Sequence, residues 1–429
     1  MTDPRRRLLL AGAAYFLSIV ALVVSRTPLG SPLFFVCAAI AAVAYAAVLP
    51  LAWRVTPRSR RGLMLACLLA VAFRIPLAVA PVGADSDMVR YLWDGRVQHL
   101  GYNPYRVVPA DPALAHTHTP ETKQMPSLRV RTPYPPAAQL FFRLVVGVHD
   151  STRAMKLALV ACDLLTVVVL WRLLEAVGRS PWLTLVYAWN PLVVLEVAHS
   201  GHIDALGALW IAASVYFLAR RRTGLASIAF VLAIATKLLP IVLAPLYWRR
   251  VGLRDGVIGG ALMVFLYVLF ADGLLAPLGA VPNVVAHIRF NGPVFRTLAA
   301  IGGAHAAAAV AVGVGLAVAI WVRRRLALTD PAAWAWPMAA SLACAPVIYP
   351  WYLLYFTPFL WSRAAMPLLA WTIAVLPVYL VWHVSSYRRQ WTVPWYVELL
   401  EYGAVLACGA LLAARAREPG ADAVKAELV

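Results

Sequence analysis

Carboxylates are scarce in this chain: 19 Asp and Glu stand among 429 residues, against 38 Lys and Arg. Charge of either sign is thin, 13% of residues, while 62% are hydrophobic and the mean hydropathy is +0.75. A soluble globular domain carries about 25% charged residues, so that class is excluded. The apolar runs also lack the period-two alternation of barrel strands. In lipid every backbone polar group must be paired within its own segment, which leaves helices. The five cysteines (Cys37, Cys67, Cys162, Cys344, Cys408) lie inside apolar runs, with no CxxC or Cys/His grouping. They read as small core residues, not as metal ligands or disulfides. Walker, Rossmann, HExxH and GxSxG motifs are missing too. The net charge of +19 does not point to nucleic acid, because the basic residues sit in short clusters between apolar runs.

What is present is a series of apolar runs of about 18 or more residues, each long enough to cross a bilayer. The fold class expected is an all-α polytopic transmembrane bundle of about 12–13 segments, forming one domain over residues 1–418 with a polar cytoplasmic tail at 419–429. The first spans are Leu8–Ser25, Pro32–Trp53 and Gly62–Val82. Arg5-Arg6-Arg7 resembles the start of a signal peptide, but a second span follows at once, so an uncleaved first helix is expected. Those arginines and Arg58, Arg60 and Arg61 then face the cytoplasm. The third span delivers the polar loop 83–150 to the outside. Ala137–Val148 is too short to cross and should lie along the outer leaflet.

Further spans are expected at Thr152–Leu174, Pro181–Ala198, Ile203–Ala219, Val257–Leu274, Ala304–Val322, Pro331–Ile348, Pro350–Leu360, Met366–Val384 and Leu399–Ala414. Both termini then lie inside and a second outer loop spans 275–303. Segment 225–248 has arginines at both ends and is interrupted by Lys237 and Pro240. A re-entrant hairpin from the cytoplasm resolves that charge conflict; a tilted span with a snorkelling lysine is the alternative.

Three of the few acids, Asp85, Asp87 and Asp94, fall within ten positions at the start of the first outer loop. A carboxylate at the membrane surface can take a proton from a hydroxyl nucleophile. Equally, Asp85 or Asp87 can cap the helix predicted over Met88–Leu100. Asp94 reads as an ion-pair partner of Arg90 or Arg96. Arg74, Lys237, Lys156 and Arg143 are cations in apolar context, which at membrane depth marks functional candidates. Glu196, His199, His202 and Asp204 gather near Trp189-Asn190-Pro191. They read as a buried hydrogen-bond network in preference to a metal site. Tyr349-Pro350-Trp351-Tyr352 fits an interfacial aromatic belt or a platform for a sugar face.

At these residues the chain resembles a known family. Asp87-Met88-Val89-Arg90-Tyr91-Leu92-Trp93-Asp94-Gly95, then Gly101-x-Asn103-Pro104-Tyr105 and Tyr134-Pro135-Pro136, is similar to the first outer loop of the GT-C glycosyltransferases. Within them it most resembles the bacterial polyprenol-phosphate-mannose-dependent mannosyltransferases. Trp189-Asn190-Pro191, Gly201-His202-x-Asp204-Ala205, Thr236-Lys237-Leu238-x-Pro240 and Pro350-Trp351-Tyr352 add to the likeness. Asp85-Ser86-Asp87 is also similar to the DxD of the eukaryotic enzyme that adds the first mannose to GPI precursors. Many relatives carry an acid where this chain has Ser86, so any second carboxylate role would fall to Asp85.

The resemblance implies a GT-C-type fold whose first outer loop carries short interfacial helices. It also implies an inverting transfer of one sugar, mannose as first choice, from a polyprenyl-phosphate carrier to a lipid or glycan acceptor. The site would face outward from the bacterial cytoplasmic membrane, with Asp87 as general base beside Asp85. Arg74, Lys237, His202 and Arg289 are the candidates for the donor phosphate. Arg90, Tyr91, Trp93, Asn103, Tyr105, Tyr134, Trp351 and Tyr352 are those for sugar and acceptor. A divalent metal is compatible with the DxD-like pair, but no ligand set demands one. Independently, nucleotide sugars are cytoplasmic, so a transferase working outside needs a lipid-borne donor. A flippase for a lipid-linked saccharide is the competing expectation; it should spread polar residues through the midplane instead of gathering them on one side. An assembly subunit of the envelope, a third class, would not need the Asp85/Asp87 pair.

Overall fold

In the computed structural model the described residues are 3–53, 59–81, 87–125, 127–271, 277–388 and 391–415. Asp85, Arg58 and the tail expected at 419–429 lie outside them. Among the described residues seven helices are long and apolar enough to cross a membrane, and eight if a bent pair counts as one span. The chain is thus an all-α, multi-pass membrane protein, and among the described residues the only β pairing is a single bridge between Phe290 and Val347.

The first three helices, α1 (Pro4–Val24), α2 (Pro32–Trp53) and α3 (Arg60–Val79), match the expected spans closely. Next come α4 (Asp87–His99) and α5 (Pro136–Val148) in the polar stretch, then α6 (Thr152–Ala176). Two opposite faces of α4 are apolar. Met88, Tyr91 and Leu92 join the main bundle core, while Val89, Trp93 and Val97 form a second small core with Leu114 and Met125. Spacings of three and four residues put each set on its own stripe, so α4 is clamped between the bundle and the loop above it. Gly95 permits the close approach of α5: a methyl there would come within 2.7 Å of the Phe142 carbonyl oxygen.

Where the expected spans are broken, the break has a visible cause. Pro181–Ala188 and Pro191–His199 are bent by 59°, because Pro191 cannot continue the first helix. Asn190 caps the second, its side-chain oxygen accepting from the Leu192 N–H at 3.0 Å. That second helix ends in a π-helical turn, Leu195–His199, a widening that often marks functional sites. The helix Thr223–Ile234 stops short of Lys237, and the chain resumes in tight turns at Leu239–Leu243 and Ala244–Tyr247. At Gly303, φ +83°, the backbone leaves helical geometry, so a new helix begins where the span Ala304–Val322 was expected and runs to Arg325. The stretch before it, expected as a second outer loop at 275–303, carries the helix Val281–His287 and a further helical segment from Pro293; Pro at the first helical position suits that start. Pro350–Leu360, expected as a short span, is built of two 3₁₀ turns, Pro350–Tyr355 and Thr357–Phe359.

Candidate active site

The first turn of α4 presents Asp87, and four other parts of the chain converge on it. One is the turn between the π-helical segment and the helix Asp204–Ala219, which carries His202 and Asp204. Gly201 makes that turn possible: its φ is +73°, and any side chain there would collide with Met88 of α4. His202 Nδ1 lies 3.7 Å from an Asp87 carboxylate oxygen, and Nε2 lies 3.3 Å from Glu196. The second contribution is Lys237, in the break after Thr223–Ile234. Its ammonium donates to Asp204 at 2.6 Å and sits 3.6 Å from the centre of the Tyr352 ring. Third, the turn at 349–352 stacks Trp351 on His202 at 3.9 Å and 8°, and Tyr349 on Trp351 at 4.4 Å and 9°. Fourth, Tyr134 hydrogen-bonds the Asp87 carboxylate and packs edge-on to Tyr91.

Asp87 differs from its neighbours in being reachable. A third of its side chain is exposed, while Glu196 and Asp204 are sealed. Protein nevertheless surrounds it, and that burial pushes its carboxyl up to about 6. The Lys237 ammonium, the Tyr134 hydrogen bond and Arg90 oppose the rise, and the Asp204 carboxylate adds to it. Near neutral pH this is an ionised yet unusually basic carboxylate. The Lys237 side chain is 23% exposed and gives one of its three N–H donors to Asp204, leaving others for an incoming anion.

Against this geometry the comparison with known families is decisive. A family described as alpha-(1->6)-mannopyranosyltransferase, N-terminal domain, matches residues 11–251, more than half the chain. The chain belongs to this family. It is therefore a membrane glycosyltransferase of the GT-C mannosyltransferase type, and membership implies a polyprenyl-phosphate sugar donor in general. No curated protein and no solved structure matches the chain. The matched stretch contains Asp87, Glu196, His202, Asp204 and Lys237; Trp351 and Tyr352 lie beyond it.

Of the residues singled out from the sequence, Asp87, His202, Lys237, Tyr91, Tyr134, Trp351 and Tyr352 come together. Tyr91 does so by accepting the Ile203 N–H at 3.3 Å, which fastens α4 to the His202 turn. Others do not. Arg74 is buried with its guanidinium taken by Asp163 and by the carbonyls of Ala70 and Ala188. Arg289 donates to the carbonyls of Val285, Ala286 and Ile288 and covers Phe295, just beyond the helix Val281–His287. Trp93 is fully buried and bonded to Thr117, with no face left for a sugar.

The other loop residues are fasteners. Arg90 pairs with Asp94 at 2.7 Å and holds the Val130 carbonyl, with Asp94 tied on to Gln139 at 2.9 Å. Asn103 donates to the Phe270 carbonyl at 2.9 Å, and Tyr105 to that of Tyr134 at 2.6 Å. Lys156 caps the end of α3 through the carbonyls of Leu77 and Ala80. Sequence reasoning missed Tyr355 and Tyr379. The first has an unbonded buried hydroxyl against Gly207, and the second is bonded to Glu196. A tyrosine inside an apolar run carries no signal that separates such a role from a belt residue. Among the described residues no group of three or more His, Cys, Asp or Glu side chains is placed to hold a metal ion.

Proposed function

We propose that the enzyme transfers one sugar, mannose by its family, from a polyprenyl phosphate to a hydroxyl of a lipid or glycan acceptor at the outer membrane face, with inversion. The observation that carries this is the pairing of a partly exposed carboxylate, Asp87, with a partly exposed ammonium, Lys237, at one mouth. The acceptor oxygen attacks the anomeric carbon as its proton passes to Asp87. The bond from that carbon to the phosphate oxygen breaks, and the polyprenyl phosphate leaves against Lys237. Desolvation around Asp87 raises its basicity, which a proton acceptor needs and a helix cap does not. Tyr352, whose ring centre lies 3.6 Å from the Lys237 ammonium, stands beside the reacting centre, while Trp351, stacked between His202 and Tyr349, holds the His202 ring in place.

In this reading α1, α2 and α3 are three crossings, and keeping Arg5–Arg7, Arg60 and Arg61 inside, as the positive-inside rule favours, delivers α4 to the outer face. Segment 225–248 acts as a re-entrant hairpin in this reading. Thr223 at its start hydrogen-bonds Asp255 just after its end, at 2.5 Å, while its apex carries Lys237 to Asp204. The crossings needed beyond the long helices, toward a total of twelve, fall to the short helices at 204–219, 253–268 and 332–343 and to the turns at 350–360.

The test is transfer by the purified full-length protein in detergent, with polyprenyl-phosphate-mannose as donor and an alkyl mannoside as acceptor. Asp87→Asn should lower kcat by roughly 10²–10⁴-fold while the protein elutes and melts as the wild type does. Turnover near the wild-type rate in that variant removes the base.

A further inference from the structure

Glu196 takes no part in the chemistry above, yet its position is costly. It is a fully buried carboxylate in an apolar span, and its contacts are the Tyr379 hydroxyl and His202 Nε2; neither is a Lys or Arg. Burying a carboxylate without a fixed cation is expensive. His202 is equally constrained. Coplanar stacking on Trp351 fixes the ring plane, so that its two nitrogens face two carboxylates, Asp87 at 3.7 Å and Glu196 at 3.3 Å. Nδ1 of His202 and one oxygen of Glu196 are buried and lack a hydrogen-bond partner of normal geometry. A donor phosphate is a poor ligand for a ring already flanked by two anions. The cluster as a whole holds three carboxylates (Asp87, Glu196, Asp204) against one ammonium, Lys237. Like charges at this range favour keeping a proton among them.

We propose that His202 and Glu196 form a relay that takes the acceptor's proton onward from Asp87, with Glu196 as its inner terminus. This rests on Asp87 being the base. The proton moves from the Asp87 carboxyl to His202 Nδ1, and the proton on Nε2 passes to Glu196. The ring stays neutral in its other tautomer, and no electrons change hands. After product leaves, the proton returns by the same path and exits through the exposed part of Asp87. Clearing Asp87 in this way prevents it from handing the proton back to the new glycosidic oxygen. The charged and titratable groups facing the ring are Asp87 from α4, Glu196 and His199 from the π-helical turn, and Lys237 from the helix break. Those facing Glu196 are Asp204, Asp87, His202 and Tyr379. His202 and Glu196 are thus positioning and relay residues behind the base.

The relay is read by a proton inventory, kcat in mixtures of light and heavy water, on the full-length enzyme with polyprenyl-phosphate-mannose and an alkyl mannoside. The wild type should give a curved inventory, with more than one proton in flight. Glu196→Gln should lower kcat roughly 10- to 100-fold, less than loss of the base itself, leave both KM values unchanged and make the inventory linear. Glu196→Asp should recover part of the rate and the curvature. His202→Phe, which keeps the stack on Trp351, should give the same linear plot and serves if Glu196→Gln does not fold. A wild-type kcat and curved inventory in these variants overturns the relay, as does a lower melting temperature with the curvature intact. An inactive Asp87→Asn beside an unaffected Glu196→Gln sinks the relay alone; an active Asp87→Asn sinks the base on which it rests.

Discussion

Asp87 and Arg74 were both conspicuous as charges in an apolar chain, and the structure separates them by what surrounds each. Asp87 keeps a third of its side chain open and has its carboxyl raised to about 6 by burial. Since the base must be ionised to accept a proton, kcat/KM should climb as pH rises through about 6 and level off above it. Removing the ammonium in Lys237→Gln withdraws a neighbour that favours the ionised form, so the acid limb of the same profile should move to higher pH, with a raised donor KM. A limb that stays put would mean that Lys237 does not act on Asp87. Arg74 has no open face. Arg74→Met should strand Asp163 and cost about 3–5 kcal/mol of stability, visible as a lower melting temperature in detergent, with donor KM unchanged in the protein that folds. The sequence made Asp87 legible through its motif and its place after a span. It hid the fate of Arg74, because the partner that neutralises it lies 89 positions away and no local pattern links the two.

At the level of elements, the site depends on breaks in helices more than on helices. The π-helical turn, the Gly201 turn and the gap at Lys237 each aim a polar group that a continuous helix would have left elsewhere. Gly201→Ala forces a left-handed backbone on a residue that disfavours it and makes the terminal methyl of Met88 shift away. It should cost about 1–3 kcal/mol and depress kcat at least tenfold, since small displacements of catalytic groups are expensive; thermal melts and turnover of the purified variant check both figures. Lys237 and Pro240 announced one of these breaks in the sequence, whereas Pro181–Ala198 read as one unbroken span. Gly302-Gly303 drew the expected start of the span at Ala304, and the backbone does leave helical geometry at Gly303; the helical segment before it, from Pro293, was not legible because the apolar pattern strengthens only after those glycines. The 3₁₀ form of 350–359 was hidden for a different reason: hydropathy registers apolar residues but not how their prolines tighten the turns.

Across the whole molecule, fold class and family were open to reading from composition and the loop motif. The grouping of site residues was not. Asp87, Glu196 with His202, Lys237 and Trp351 come from four separate stretches, and only packing decides that Trp93 goes into a core while Trp351 lies flat on His202. The account as a whole depends on which side of the bilayer this cluster faces, because a lipid-borne sugar is needed only outside the cell. The direct measurement places a single cysteine at exposed Tyr102 in a variant freed of the native cysteines, and treats intact cells with a membrane-impermeant thiol reagent. Labelling without permeabilisation is the result expected; labelling that appears only after the membrane is opened would contradict the assigned face and, with it, the donor and the mechanism.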